Sequence, residues 1–392
     1  MATPPYTYVD VISGNQCIGD SLAFLNRNFT NLDQAITSFA VTDSSTVDLT
    51  FNSTTRNLSA IVNDNSIGNA KLTTDSVNTP QLSSLSVTNS KLAFDGGAFT
   101  FRNKIINGDM RIDQRNAGAS QTVSNSTPAY TLDRWLVSSI GGNCTTQRVG
   151  SVGAYSLQIT GASGITALAA LQRIESNNIA NLAGRTVTVS FIASSSTLTS
   201  LTVNYFTPTV VDNYTALNTV LVAGISTLTT TPTRFSYTFT VPSNATNGLA
   251  IQFSTGAFTS GTLTITNVQL EAGPTATPFE YLPIGTQLSL CQRYFCREGL
   301  MTGQTTLLNR AICYTGMNSV FFSNRYPVTM RTAPLATVSL DKTDGTPFTL
   351  NSSVVAADGV DSYADRFFVH YYAGMTSGQF IDLNGYTADA EL

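Results

Sequence analysis

Apolar residues recur at every fifth position in one stretch of the chain. The six positions are Ile67, Leu72, Val77, Leu82, Val87 and Leu92, and the residues between them are polar or small apart from Leu85. A step of five turns an α-helix by about 140°, and on a strand it sends successive side chains to opposite faces. Neither element buries this pattern by itself. The interval therefore predicts a fibre shaft in which other copies of the chain surround a shared axis, most simply a trimer.

A second apolar pattern lies nearer the start of the chain. Its positions alternate three and four apart, at Leu22, Leu25, Phe29, Leu32 and Ile36. Asp20 or Ser21 can cap a helix that runs to about Ile36. The spacing is that of a coiled-coil seam, and the alternative is an amphipathic helix that packs on its own domain. We assign these five residues, with the six shaft positions, to the predicted trimer axis.

Beyond these two patterns, the sequence predicts short strands. Alternating residues on either side of Asn52–Asn57 predict a hairpin. From about Phe101, strands separated by Gly, Ser, Thr and Asn are typical of a sandwich or jelly roll. The clearest predicted strands are Thr186–Phe191, Leu201–Tyr205, Phe235–Val241, Leu249–Phe253 and Leu263–Leu270. A short helical pattern at Gln287–Phe295 precedes a smaller β unit with strands near Ala311–Tyr314, Ala336–Leu340 and Arg366–Tyr372.

These patterns predict an all-β chain with four parts. Residues 1–41 form an attachment segment with a coiled-coil helix, and residues 42–100 form an intertwined trimeric β shaft with a ten-residue repeat. Residues 101–284 form a jelly roll or β-sandwich. Residues 285–392 form a smaller C-terminal β domain at the tip.

Composition narrows the function. Charged residues make up 11% of the chain, against about 25% in ordinary soluble domains, and Ser, Thr and Asn replace them. Such a surface is typical of extracellular or virion β-proteins. The net charge of −4 gives no basic footprint for nucleic acid or for a membrane surface. The first ten residues lack a signal-peptide pattern, so we expect synthesis in a cytoplasm and no membrane insertion.

The five cysteines form an odd set without a CxxC pair, which argues against a disulfide framework. Cys291, Cys296, Cys313 and the single histidine, His370, offer the ligand types of a Cys3His zinc site. Their spacing matches no compact zinc knuckle, and unpaired cysteine is among the most buried residue types. We expect buried structural thiols and no metal.

Several motifs together resemble the tail-fibre proteins of tailed bacteriophages. They are Asn107–Ile112, Leu132–Trp135, Gln172–Glu175, Leu182–Phe191, Val268–Gly273, Thr277–Glu280 and Leu290–Tyr294. The N-terminal segment from Asp20 to Asp33 and the Lys-Leu shaft repeat are similar to the attachment ends of cyanophage fibres. The resemblance covers the central domain, which in such proteins resembles a carbohydrate-binding jelly roll.

The resemblance implies a receptor-binding virion protein. Its N-terminus would join the phage baseplate or tail, its partner copies would complete a homotrimer, and its distal β domains would contact host cell-surface polysaccharide during adsorption. Related jelly rolls often carry a structural calcium, for which Asp109 and Glu271 are the candidate carboxylates. Calcium is bound by six or more oxygen ligands, and the sequence suggests only these two carboxylates. We therefore predict no metal and no cofactor.

Aromatic residues among polar loop residues are the best sugar-binding candidates, because loops on a rigid sandwich carry recognition. Two clusters fit this description: Asp212, Asn213 and Tyr214, and Asp361 with Tyr363. Trp135, the only tryptophan, lies in an apolar strand pattern and is predicted to be core, although its ring could serve as a sugar platform.

Nothing in the sequence singles out a catalytic residue. His370 sits in an alternating strand pattern with no nucleophile elbow nearby, and no P-loop, dinucleotide or zincin motif appears. We therefore predict a binding protein and not an enzyme. Two alternatives stay open, namely a purely structural virion adaptor and a glycan depolymerase tailspike.

Overall fold

The structure is a computed structural model. It describes residues 18–37, 44, 47–52, 54–55, 57–64, 67, 101–299, 308–313, 320–342, 347–351, 359–371 and 379–392. The chain divides into two compact units, residues 1–92 and 93–392. Within the described residues, no helix has the length and apolar character needed to cross a membrane.

The first unit contains one helix and one hairpin. Helix α1 spans Ile18–Thr37, and strands β1 (Val47–Asn52) and β2 (Asn57–Val62) pair antiparallel. The side chain of Asn52 accepts hydrogen bonds from the next backbone amides, Thr54 N at 3.0 Å and Thr55 N at 2.9 Å. This short polar side chain thereby shapes the turn. Both the helix and the hairpin predicted from the sequence are confirmed.

The second unit begins with a two-sheet β-sandwich. Its strands in chain order are β3 (Gln121–Val123), β4 (Ala129–Leu132), β5 (Trp135–Ile140), β6 (Cys144–Ser151), β7 (Ala154–Thr160), β8 (Ala167–Ile174), β9 (Thr186–Ser195), β10 (Ser200–Phe206), β11 (Pro208–Val210), β12 (Asn213–Leu217), β13 (Leu221–Thr227), β14 (Thr233–Thr240), β15 (Leu249–Thr255) and β16 (Thr262–Ala272). A short helix α2 (Ser176–Ile179) and the 3-10 turns Ala180–Leu182 and Ser243–Asn247 lie in the connections.

The two large sheets have six strands each. One has the order β13-β10-β15-β8-β5-β4, and the other has the order β14-β9-β16-β7-β6-β3. Successive strands cross between the sheets from β8 to β10 and again from β13 to β16, and neighbouring strands are antiparallel. This is a jelly-roll sandwich. Strands β11 and β12 form a separate small hairpin.

The sandwich core lies between the two sheets. Trp135 is fully buried and its indole Nε1 donates to the Asn107 carbonyl at 2.9 Å. The rings of Phe191 and Phe253, one from each sheet, meet edge to face with centroids 4.7 Å apart. Trp135 is therefore a core residue, as predicted, and its polar N–H is satisfied inside the protein. The five clearest strand predictions are also confirmed, each falling within an observed strand or one residue beyond it.

A smaller β part follows the sandwich. Its elements are α3 (Ile284–Gln292), β17 (Phe295–Gly299), β18 (Asn309–Ile312), β19 (Val320–Arg325), β20 (Leu335–Lys342), β21 (Pro347–Asn351), β22 (Gly359–Ser362), β23 (Arg366–Tyr371) and β24 (Phe380–Asp389). The helical pattern predicted for Gln287–Phe295 is confirmed up to Gln292, and Phe295 already starts β17. One sheet has the order β17-β24-β20-β21, with β18 also paired to β24, and the other has the order β19-β23-β22. The buried side chains of these strands form a hydrophobic core separate from that of the sandwich.

The last described residues pack on the sandwich. The Ala390 amide donates to the Tyr294 carbonyl at 2.7 Å, and the Tyr130 hydroxyl donates to the Leu392 carbonyl at 2.9 Å. Arg331 donates to the Ala390 carbonyl at 2.9 Å. The contact with Tyr130 holds the residues after β24 against β4 of the sandwich, and the other two contacts join them to Tyr294 and Arg331 of the smaller β part.

Candidate functional site

The sheet β19-β23-β22 has one buried face and one outward face. In its central strand β23, Phe367 and Val369 are fully buried, whereas Phe368 is exposed. Successive strand residues point to opposite faces. Arg366, Phe368 and His370 therefore share the outward face.

Strand register brings aromatic and polar side chains together on this face. Phe321 of β19 pairs with His370 of β23, and Asp361 of β22 pairs with Phe368. The rings of Phe321 and His370 are inclined by only 14°, with centroids 6.3 Å apart. Phe321 is 59% exposed. We call this surface, defined by Phe321, Asp361, Tyr363, Phe368 and His370, the aromatic face.

Tyr363 lies in the tight turn between β22 and β23. Its amide donates to the Arg366 carbonyl at 2.8 Å, which closes the turn. Its ring is 53% exposed and meets Phe368 edge to face at 5.7 Å. Beneath the turn, the Ser362 hydroxyl lies 2.7 Å from the hydroxyl of Tyr326, and burial raises the pKa of Tyr326 to about 12. The buried phenol stays neutral and fixes the turn that presents Tyr363.

A polar pair lies beside the rings. The Nε2 atom of His370 is 3.3 Å from Oδ2 of Asp361, whose side chain is largely exposed. The carboxylate can accept hydrogen bonds from ligand hydroxyl groups, and the aromatic rings offer apolar faces. The aromatic face therefore combines flat apolar surfaces with hydrogen-bonding groups at its edge.

The structure separates the two sugar-binding candidates of the sequence. Asp361 and Tyr363 belong to the aromatic face, as described above. Tyr214 is only 7% exposed, its hydroxyl donates to the Ile174 carbonyl at 3.0 Å, and the Arg173 guanidinium lies 5.2 Å from its ring centre. Burial is the largest cause of a raised pKa at Tyr214. Its ring is thus placed in the interior and not on the loop surface that the sequence predicts.

The residues beside Tyr214 have local structural contacts. Asp212 adopts a positive φ of 54° and accepts hydrogen bonds from the Ser176 amide at 2.7 Å and the Ser176 hydroxyl at 2.9 Å. The Asn213 side chain accepts from the Thr215 hydroxyl at 2.7 Å. This cluster therefore caps α2 and shapes the β11-β12 hairpin, with no aromatic ring presented to a ligand.

The candidate calcium carboxylates are held by protein donors. Glu271 accepts from the Thr277 amide at 2.8 Å, the Thr277 hydroxyl at 2.6 Å and the Gln269 side chain at 2.8 Å. Asp109 pairs with Arg111. Across the residues that the structure describes, no group of three or more His, Cys, Asp or Glu side chains could hold a metal ion.

The cysteines that the structure describes are interior thiols. Cys144, Cys291, Cys296 and Cys313 are all buried, and burial raises the pKa of Cys296 to about 12. A buried thiol with a raised pKa is a poor nucleophile and a poor metal ligand. The prediction of buried structural thiols is confirmed for these four residues, and Cys17 lies outside the described residues.

The predicted trimer-axis residues lie in the first unit. Leu25, Phe29 and Leu32 are exposed along α1, and Ile67 is exposed after the hairpin. Leu22 and Ile36 lie within the helix backbone, but their side chains lie outside the description, as do Leu72, Val77, Leu82, Val87 and Leu92. The described part of the axis thus presents apolar side chains to the surface of a single chain.

Sequence patterns did not assign three residues of the aromatic face to a sugar-binding site. Phe368 and His370 lie in a stretch whose pattern predicts an alternating strand, and no sequence motif marks Phe321. Alternation with Phe367 and Val369 could have indicated that Phe368 faces the other way. Only the pairing of β19 with β23 brings Phe321 to the same surface.

No protein-family model and no curated protein matches the chain. Among solved structures, one described as CBM4 is 21% identical, with 43% of this chain and 98% of that chain covered and a TM-score of 0.29. The family 11 carbohydrate-binding module from Clostridium thermocellum is 12% identical, with 41% and 100% covered and a TM-score of 0.28. The enzymatically active domain of bacteriophage CBA120 tailspike protein 4 is 15% identical, with 44% and 22% covered and a TM-score of 0.29. The jelly-roll assignment rests on the strand topology described above.

Proposed function

We propose that the chain is a homotrimeric tail-fibre protein of a tailed bacteriophage that binds a host surface polysaccharide through the aromatic face. Residues 1–41 attach the fibre to the baseplate or tail, and residues 42–100 form its shaft. The observation that carries the recognition role is the set of exposed rings on one sheet face. Phe321, Tyr363 and Phe368 lie there beside the polar pair Asp361 and His370.

Such a face suits a carbohydrate. A sugar ring presents apolar C–H groups on its faces and hydroxyl groups around its edge. Aromatic side chains cover the C–H groups, and carboxylate or imidazole groups at the rim take the hydroxyl hydrogen bonds. Antiparallel strand pairing holds Phe321 and Phe368 in place, so little side-chain and loop freedom is lost on binding.

The first unit supports self-association. Phe29 of α1 and Ile61 of β2 are well exposed, and every residue of β2 is exposed in the single chain. Large apolar surface of this kind marks an interaction site. Three copies would cover the seam of α1 and the hairpin, as the heptad and five-residue spacings predict. Three linked sites also raise avidity by about 10² to 10⁴ over one weak site when they bind together.

We propose binding without cleavage. A glycosidase needs two carboxyl groups, one of them with a raised pKa so that it can donate a proton. On the aromatic face Asp361 lies against His370, while Asp365 in the adjoining turn pairs with Arg366 at 2.6 Å. The hydrogen bond from Arg366 lowers the pKa of Asp365, which is the opposite of what a general acid requires.

A pair of ring substitutions tests the proposal. Tyr363→Ala and Phe321→Ala should each weaken binding of the full-length protein to host cells by about two- to tenfold, because one aromatic contact is lost per site. Both rings are exposed, so the mass of the protein oligomer and its melting temperature should not change. Tyr281→Ala is the matched control, since this tyrosine is 58% exposed on the sandwich part of the chain.

The alternatives give different results in the same series. Unchanged adsorption in both ring variants would remove the receptor site from this face. Loss of virion assembly without loss of cell binding would favour a structural adaptor. Reducing ends that appear when the purified protein is incubated with host polysaccharide would show a depolymerase.

A further inference from the structure

Two arginines lie directly opposite each other at one end of the aromatic face. Arg325 of β19 pairs in register with Arg366 of β23. Strand alternation from the exposed residues Phe321 and Phe368 places both arginines on the outward face. Like charges directly opposite across a sheet destabilise it. We therefore expect a negative charge nearby that offsets the repulsion between the two guanidinium groups.

One carboxylate partly supplies this charge. Asp365 accepts hydrogen bonds from Nε of Arg366 at 3.0 Å and from Nη2 at 2.6 Å. The positive charge of Arg325 also contributes to the lowered pKa of Asp365. In the described part of the chain, no hydrogen bond engages the Arg325 guanidinium. The single carboxylate of Asp365 thus offsets the charge of two guanidinium groups. Among the described residues, the N–H donors of the Arg325 guanidinium have no hydrogen-bond acceptor.

The arginines adjoin the exposed rings. The Tyr363 amide is bonded to the Arg366 carbonyl, and the Tyr363 ring contacts Phe368. A ligand lying on these rings would bring its substituents to the arginine pair. Guanidinium groups bind carboxylate and sulfate groups through paired hydrogen bonds, whereas neutral hydroxyl groups gain much less from them.

We infer that the polysaccharide bound at the aromatic face carries acidic groups, carboxylate or sulfate, and that Arg325 with Arg366 recognises them. This inference rests on the proposed function and names the ligand class of the same site. The chain as a whole carries a net charge of −4, which repels polyanions. A preference for an acidic polymer must therefore arise from a local positive group and not from the general field of the protein.

Binding of the full-length protein to paired polymers tests the inference. Polygalacturonate is compared with its carboxyl-reduced form, and dextran sulfate is compared with dextran. We expect the acidic member of at least one pair to bind about threefold or more tightly than its neutral partner, and the preference to shrink as salt is raised. The pair with the larger preference distinguishes carboxylate from sulfate recognition.

Arg325→Gln is the informative variant, because it removes the charge of an exposed side chain without disturbing the Asp365–Arg366 turn. It should abolish the preference for the acidic member while leaving binding of the neutral member unchanged. Arg185→Gln, which removes an exposed charge from the sandwich, should leave the preference intact.

The two proposals fail in different ways. Equal binding of acidic and neutral members, or an Arg325→Gln protein with the wild-type preference, would overturn the acidic-ligand inference and leave glycan binding standing. Absence of binding to every polymer, together with no signal on an array of neutral and acidic glycans, would overturn both.

Discussion

Arg134 and Glu391 form an ion pair inside the protein, although 257 positions separate them in the chain. Both side chains are almost fully buried, and the guanidinium lies 3.6 Å from the centre of the Tyr294 ring. A second arginine, Arg115, lies 3.2 Å from the same carboxylate. The pair therefore joins the residues that follow β24 to the β4–β5 turn of the jelly-roll sandwich through two almost fully buried charges.

Removing one partner of this pair should be costly. Glu391→Gln leaves the buried Arg134 without its countercharge, and we expect a loss of about 3–5 kcal/mol in the free energy of unfolding. Denaturant unfolding followed by circular dichroism measures the change. Asp382→Asn, which breaks the exposed pair with Arg310, should leave the curve nearly unchanged because water solvates that arginine. Equal effects of the two substitutions would contradict the buried-pair interpretation.

Asp133 should make stability depend on pH in the acidic range. Burial raises its pKa to about 6 from an ordinary 3.8, although hydrogen bonds from Gln114 act in the opposite direction. The folded protein binds this proton more tightly than the unfolded chain does. The contribution of Asp133 to the free energy of unfolding is therefore fully present below about pH 4. It is lost as the pH rises through about 6, which lowers the free energy of unfolding by about 3 kcal/mol.

The Asp133→Asn variant isolates this effect. Its unfolding free energy, measured from pH 4 to pH 7, should lack the decline that Asp133 adds to the wild-type curve. Parallel curves for the two proteins would assign the pH dependence to other groups.

Gly108 should not tolerate a side chain. A Cβ atom at this position would lie 2.0 Å from the Val268 carbonyl oxygen, and the Val268 amide bonds to the Gly108 carbonyl at 2.9 Å. Gly108→Ala must shift the backbone at residue 108 away from the backbone at Val268. We expect the free energy of unfolding to fall by about 1–3 kcal/mol. Gly256→Ala is the control, because its Cβ would meet nothing within 4 Å. Similar melting temperatures for the two variants would show that the contact between Gly108 and Val268 accommodates the added methyl group without strain.

The trimer should be visible in solution. Light scattering on the full-length protein should give about three times the 41.7 kDa mass of one chain. Leu72→Asp with Leu82→Asp would place carboxylates at the proposed axis, where burial of charge is unfavourable, and should reduce the mass. Val152→Asp, at a fully exposed turn of the sandwich, should not change it. A folded monomer of the unaltered protein would remove the shaft from the proposal.

The sequence by itself determined that the chain is mostly β-strand, and it located the clearest strands of the sandwich. Period-two alternation indicated the strands at Thr186–Phe191 and Leu249–Phe253, and both lie in the two-sheet sandwich. The three-and-four spacing from Leu22 predicted α1, and the polar turn after Asn52 predicted the hairpin. Apolar neighbours placed Trp135 in the core. These features follow from local periodicity, which a sequence displays directly.

Only the tertiary structure decided which aromatic residues a ligand can reach. Asp212-Asn213-Tyr214 and Asp361-Ser362-Tyr363 have nearly the same local pattern. Tyr214 folds back beneath Arg173, whereas Tyr363 stands in an exposed turn beside Phe368. A loop sequence predicts the turn, but the exposure of its ring depends on residues distant in the chain that pack over it. For the same reason, the aromatic face appears only when strand pairing brings residues 321, 361 and 368 together.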